Sequence, residues 1–261
     1  MAKTVIQKYK DIYNELIVVA EKYSIAKVFY DFIEMMALEI AIKIGHTNKE
    51  ERLNKTKSQY QKQYLIHYDN FKMLVIEEFQ KNRFQDVFGV LFHELQLHNN
   101  FKGQFFTPFA VSQSIAKMSI TESDLQKQDF LLMNEPACGS GGIIIAASQV
   151  VEELNYNYAE KLIWVAQDID LHCVYMCFIQ LNLTGVAAII QHSNSLSVEV
   201  FESFYTAAYL LNNCKTRLEN RFRENKTLEI IRDMQKEEKD ETEKEEIQNK
   251  ENKEKQFDFN F

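Results

Sequence analysis

A chain of 261 residues with 46% hydrophobic side chains has material for one α/β domain and something smaller beside it. No apolar run of roughly 18 residues is free of charge, and the first ten residues hold no sustained apolar stretch. Neither a membrane span nor a signal peptide is therefore expected, and a cytoplasmic protein is. The net charge of −8 argues against coating nucleic acid by bulk electrostatics, although a local basic face or a basic partner subunit stays compatible with it.

Residues 1 to about 100 read as helical. They contain no proline, and Gly45 and Gly89 are their only glycines. Apolar residues recur at three- and four-residue intervals, as in Val28, Phe32, Met35, Met36 and Ile40. Gly45, followed by His46-Thr47-Asn48, marks a helix stop and a new start. Residues 49 to 70 read as an exposed helix or connection, and a further amphipathic stretch runs from Phe71 to Leu97. The aromatic and methionine stripes here are core by their spacing.

The character changes at Gly103. Leu131-Leu132-Met133 is a short apolar run, Ile143 to Val151 a buried helix, and Leu162 to Ala166 a second run. A helix over about 171 to 183 and a β-branched run from Val186 to Ile190 complete the pattern. Strand, helix, strand, helix, strand at these lengths predicts parallel βαβ units, whose ligand loops lie at the carboxyl ends of the strands. After Asn212 the apolar pattern fades, and residues 233 to 255 alternate Lys and Glu. That composition is expected to remain flexible unless it forms a solvated single helix. Three segments result: a helical region over 1–100, an α/β domain over 101–212 and a charged tail over 213–261.

The sharpest motif is Asn134-Glu135-Pro136-Ala137-Cys138-Gly139-Ser140-Gly141-Gly142, which holds three of the chain's seven glycines in its last four positions. Glycines between a strand and a helix let backbone approach a ligand closely. Glu135, at the strand end, can pair with the amino group of a zwitterionic ligand. A dinucleotide fingerprint would need glycine at 144, where isoleucine stands, and a phosphate-binding loop would need Gly-Lys-Ser/Thr, which does not occur. The alternative is a tight glycine turn with no ligand. The cysteines Cys138, Cys173, Cys177 and Cys214 form no CxxC pair, so no metal site is expected and buried free thiols are.

Glu-Pro-Ala-Cys-Gly-Ser-Gly-Gly resembles the cofactor loop of N6-adenine DNA methyltransferases, and more narrowly of the modification subunits of type I restriction systems. Gly103-Gln104-Phe105-Phe106-Thr107-Pro108 resembles the segment that precedes the first strand in those enzymes and packs against the methionine end of S-adenosylmethionine. Ala166-Gln167-Asp168-Ile169-Asp170 is similar to their second-strand end. The resemblance implies that Asp168 binds the ribose hydroxyls and Ile169 flanks the adenine. Leu181-Asn182-Leu183-Thr184-Gly185 resembles a helix end of the family, with Gly185 equally explained as a C-cap. His192-Ser193-Asn194-Ser195-Leu196 resembles the loop after the third strand, where Asn194 would touch the adenine. The resemblance covers residues 100 to 200 and implies an α/β chain with a partial Rossmann-like methyltransferase fold, a short parallel sheet preceded by a helical segment. The cofactor residues it implies are Gln104, Phe105, Phe106, Thr107, Pro108, Glu135, Pro136, Ala137, Cys138, Gly139, Ser140, Gly141, Asp168, Ile169 and Asn194, and DNA is the implied partner.

One family element is missing. Members carry Asn/Asp-Pro-Pro-Tyr/Phe after the fourth strand, to hold the target amine and stack on the flipped base. Pro108 and Pro136 are the only prolines here, and both are already placed. The corresponding stretch, Val198 to Tyr205, reads as more helix than strand. Phe204 and Tyr205 are expected in the core rather than on a base, so no catalytic residue is assigned. Three parallel strands would leave exposed edges, so association is expected, as a homodimer or with a specificity or other partner subunit carrying the missing elements. Gln256, Phe257, Phe259 and Phe261 at the end of the tail resemble the short peptide by which bacterial proteins dock on the DNA sliding clamp. Two functions follow: an adenine-N6 DNA methyltransferase, or a non-catalytic module that keeps the cofactor loop.

Overall fold

In the computed structural model, residues 8–46, 48–97 and 106–227 are described. Gln104, Phe105 and the terminal Gln256, Phe257, Phe259 and Phe261 lie outside them. The chain separates into two compact units, Met1–Asn212 and Asn213–Phe261. In the second, residues 214–227 form a helix.

Among the described residues, five helices open the first unit: α1 (Lys10–Ala20), α2 (Ile25–Lys43), α3 (Glu50–Lys57), α4 (Lys62–Lys81) and α5 (Val87–Glu94). Ser24 caps α2 by accepting from Lys27 N, and Gly45 follows the helix with φ +93°, a left-handed backbone that glycine adopts without penalty. The stretch from Phe71 to Leu97, continuous in the hydrophobic pattern, is broken at Asn82. Asp86 starts α5 by accepting from Gly89 N. Residues 49 to 70 are helical rather than a loose connection, with Leu53, Tyr60 and Tyr68 buried.

Helices α6 (Phe109–Ser119) and α7 (Glu122–Lys127) lead into β1 (Leu131–Glu135). Then follow α8 (Gly142–Glu153), α9 (Tyr158–Lys161), β2 (Leu162–Asp168), α10 (Leu171–Thr184), β3 (Ala188–Asn194), β4 (Glu199–Tyr205) and α11 (Ala207–Leu211). The strands lie in the order β1-β2-β3-β4, the first three parallel. The fold is α/β, with a helical segment ahead of a small, mostly parallel sheet. Helix α10 is buried almost all round because it packs on α2 as well as on β2 and β3. Gly185 ends it with φ +83°, donating to Leu181 O and Asn182 O.

The helix expected over 198 to 205 is instead β4, a fourth strand antiparallel to β3, pairing Ile190 with Phe204. Phe204 is fully buried between Tyr175 and Phe178, while Val200 and Phe201 stay exposed. Cross-strand pairing and one anchored ring outweigh the local pattern. Strand β4 also closes the outer edge of β3 that three strands would have left open. The outer edge of β1 carries no strand among the described residues. No helix among the described residues is long and apolar enough to cross a membrane.

Candidate functional site

The bend between β1 and α8 is built from its glycines. Gly139 and Gly141 have φ of +53° and +93°, and Gly141 N closes the turn onto Cys138 O at 2.8 Å. Neither position has room for a side chain without movement. A Cβ on Gly139 would come within 2.9 Å of the Phe106 ring, and one on Gly141 within 3.1 Å of Cys177 Sγ. Glu135 stays within the turn, its Oε1 accepting from Ala137 N at 3.2 Å. Pro136 and Ala137 make the turn itself.

This bend is tied to the end of β2. Cys138 N donates to Gln167 O at 2.8 Å, and Gly139 N donates to Asp168 Oδ2 at 2.9 Å. Asp168 Oδ1 accepts from Asp170 N at 2.9 Å, so backbone fixes the carboxylate from both sides. Burial pushes the Asp168 carboxyl above the usual carboxylate range, opposed by the N–H groups of Asp170 and Gly139. The Cys177 thiol and burial together hold the Cys138 thiol well above the ordinary range, so it stays protonated and is no nucleophile.

Beside the bend lies a cavity of about 50 Å³ lined by Phe106, Thr107, Ala137, Cys138, Gly139 and Ser140. Six of the sequence-derived residues thus meet around one space. Pro108, which follows Thr107, is the N-cap of α6 and is not part of the cavity lining. Ile169 is 60% exposed beyond Asp168, and its carbonyl lies 3.2 Å from His192 Nε2. Asn194 is turned onto its own loop, accepting from Leu196 N and Ser197 N, and does not reach the cavity lining.

Three residues at the site carried no sequence signal. Asp86 lines the cavity, accepting from Ser140 Oγ at 2.8 Å and from Gln180 Nε2 at 2.9 Å. Gln180 also donates to Ser140 O at 2.7 Å. Ser112, on α6, lines the same cavity. The Asp86-x-x-Gly89 spacing reads as a helix cap. Only the packing of α5 against the bend turns that cap into part of a site.

A family model described as N-6 DNA Methylase matches residues 79–259. No curated protein matches the chain. Among solved structures, it is similar to a protein from Listeria monocytogenes whose name assigns it to the class I S-adenosylmethionine-dependent methyltransferases. The identity is 16% and the TM-score 0.47, over 75% of this chain and 55% of that one. It is also similar to the type I restriction-modification system methyltransferase subunit from Streptococcus thermophilus, at 12% identity and a TM-score of 0.33, over 71% of this chain and 56% of that one. The chain thus spans little more than half the length of either. With the family model matched over most of its length, the chain belongs to the N-6 DNA methylase family.

Proposed function

We propose that this chain is the S-adenosylmethionine-binding component of an adenine-N6 DNA-methylating system, of the restriction-modification or mobile-element kind. The observation that carries the reading is the bond from Gly139 N to Asp168 Oδ2, which joins the glycine bend and the acidic strand end in one site. A nucleoside gripped by both would rest its ribose hydroxyls on Asp168 and its adenine near Ile169 and Asn194. Its amino-acid end would lie along the bend from Glu135 through Gly141, with Phe106 to Pro108 as the opposite wall. The residues fit such a ligand: Gly139 and Gly141, at positive φ, bring bare backbone to the bend, and a cavity adjoins it. When bound, S-adenosylmethionine supplies an electrophilic methyl group on a sulfonium sulfur. Calorimetry with S-adenosylmethionine is the test, and failure of the intact chain to bind would refute the reading.

A second reading, a non-catalytic module, is favoured by one observation: Pro108 and Pro136 are the only prolines, so residues 1 to 261 hold no Pro-Pro base-binding loop. A methyl-transfer assay on DNA separates the two, since binding without turnover by the chain alone supports the module. On either reading the base-binding loop lies outside residues 1 to 261. The open edge of β1 offers main-chain groups for an added strand. Docking on a sliding clamp through Gln256, Phe257, Phe259 and Phe261 is part of the proposal, and a chain lacking 256–261 that still pulls down the clamp would end it.

A further inference from the structure

The cavity beside the glycine bend contains two polar side chains whose bonding is incomplete. Asp86 is 6% exposed. Among the described residues its oxygens accept only from neutral groups: Gly89 N, the Gln180 amide and the Ser140 hydroxyl. None of the ion pairs formed by the described residues includes it. Ser112 is fully buried on α6, and its Oγ has no hydrogen-bond partner. Both line the same space, together with Gly142 and Ile143, the first two residues of α8.

A cation placed against a buried carboxylate that is held by neutral donors recovers part of its lost hydration. A buried hydroxyl without a partner is a cost that a ligand atom removes. The N-terminus of α8 presents backbone N–H groups that have no partner within the helix, which favours an anion there. At about 50 Å³ the cavity exceeds the roughly 10–15 Å³ that one water needs. An acceptor for a cation, a hydroxyl and an anion-favouring helix end around one small space match both charges of an α-amino acid.

We infer that Asp86 and Ser112 form the seat for the zwitterionic amino-acid end of the ligand, with Asp86 taking its ammonium and Ser112 its carboxylate. The inference rests on the nucleoside reading above and specifies how that site tells a full cofactor from a bare nucleoside. Asp86, rather than Glu135, meets the ammonium, because Glu135 does not line the cavity and its Oε1 is held by Ala137 N. Asp86 also holds Ser140 in place, so the seat and the bend are one construction.

Calorimetry with two probes tests this: S-adenosylhomocysteine, and 5′-methylthioadenosine, which has the same thioether nucleoside without the amino-acid end. The intact chain is expected to bind the first more tightly. Asp86→Asn keeps the shape and an acceptor for Gln180. It is expected to weaken S-adenosylhomocysteine roughly ten- to hundred-fold and to leave methylthioadenosine within about two-fold. Ser112→Ala is expected to weaken the first probe by roughly three- to ten-fold, again sparing the second. Equal losses for both probes, with or without a fall in melting temperature, would reduce Asp86 to a structural support and overturn the inference. So would unchanged binding of S-adenosylhomocysteine by both variants. If the intact chain binds neither probe, the nucleoside reading itself falls, a result distinct from either of these.

Discussion

Asp168 shows how one side chain can oppose stability and ligand binding. Because burial raises its folded pKa above the unfolded value, the native state holds this proton more tightly than the unfolded chain does. Its contribution to stability is therefore fully present below the unfolded pKa and is lost as pH rises through the folded one. A ribose, by contrast, needs the ionised acceptor. Nucleoside affinity is expected to fall as pH drops through the raised pKa, and Asp168→Asn is expected to weaken binding about ten-fold while flattening that profile. Calorimetry across a pH series checks both, and a variant with an unchanged slope would remove Asp168 from the site. Gly89 carries a different constraint. A Cβ there would lie 2.1 Å from Asp86 Oδ2 and 2.8 Å from Ser140 Oγ. Gly89→Ala is expected to displace Asp86 and cost about 1–3 kcal/mol by overpacking, read as a lower melting temperature. The sequence shows a glycine inside a helical pattern, but the reason for it is the Asp86 carboxylate, held in place by Ser140, 51 positions further along the chain.

At the scale of elements, the junction of β3, β4 and α11 turns on one hydroxyl. Thr206 Oγ1 accepts from Ala188 N at 2.9 Å and from Tyr209 N at 3.3 Å and donates to Val186 O at 2.7 Å, all in a buried setting. Thr206→Val removes that polar atom and leaves buried backbone groups unpaired, at a cost of about 1–3 kcal/mol. Chemical denaturation measures it. The turn before β4 holds the opposite case. Val198 has φ +60°, a left-handed conformation that strains a β-branched residue, and its side chain is 79% exposed. Val198→Gly is expected to stabilise the hairpin by up to about 1 kcal/mol, and a drop in melting temperature would show that the valine is held by contacts instead. Strand β4 was illegible in the sequence because Val-Glu-Val-Phe-Glu-Ser-Phe-Tyr alternates only in part. Its register depends on Phe204 finding Tyr175 and Phe178, more than 25 residues earlier. The break at 82–86 was hidden for a related reason, since hydrophobic periodicity runs through it and only the cap at Asp86 divides it.

For the whole molecule, the open question of surface is the β1 side of the sheet. Helix α6 exposes Val111, Ile115 and Met118 at helical spacing, Leu132 on β1 is 41% exposed, and the outer edge of β1 carries no strand among the described residues. Such surfaces are ordinarily covered. Sedimentation at micromolar concentration is expected to show a species heavier than the 30.7 kDa chain, alone or once its partner subunit is added. A monodisperse monomer that recruits no subunit would count against association. What the sequence by itself determined was whatever short-range chemistry can write: the glycine bend, the parallel βαβ order, the cap at Gly185, and the pairing of a loop with an acidic strand end about thirty residues on. Those signals are local because each needs only backbone freedom or a hydrophobic period. Only the tertiary structure decided that Asp86 and Ser112 stand at the bend, that β4 pairs on β3 and takes its place at the edge, and that no described strand covers β1. Burial of a charge, an unpartnered hydroxyl and an unpaired edge are properties of what surrounds a residue, and no window of sequence contains its surroundings.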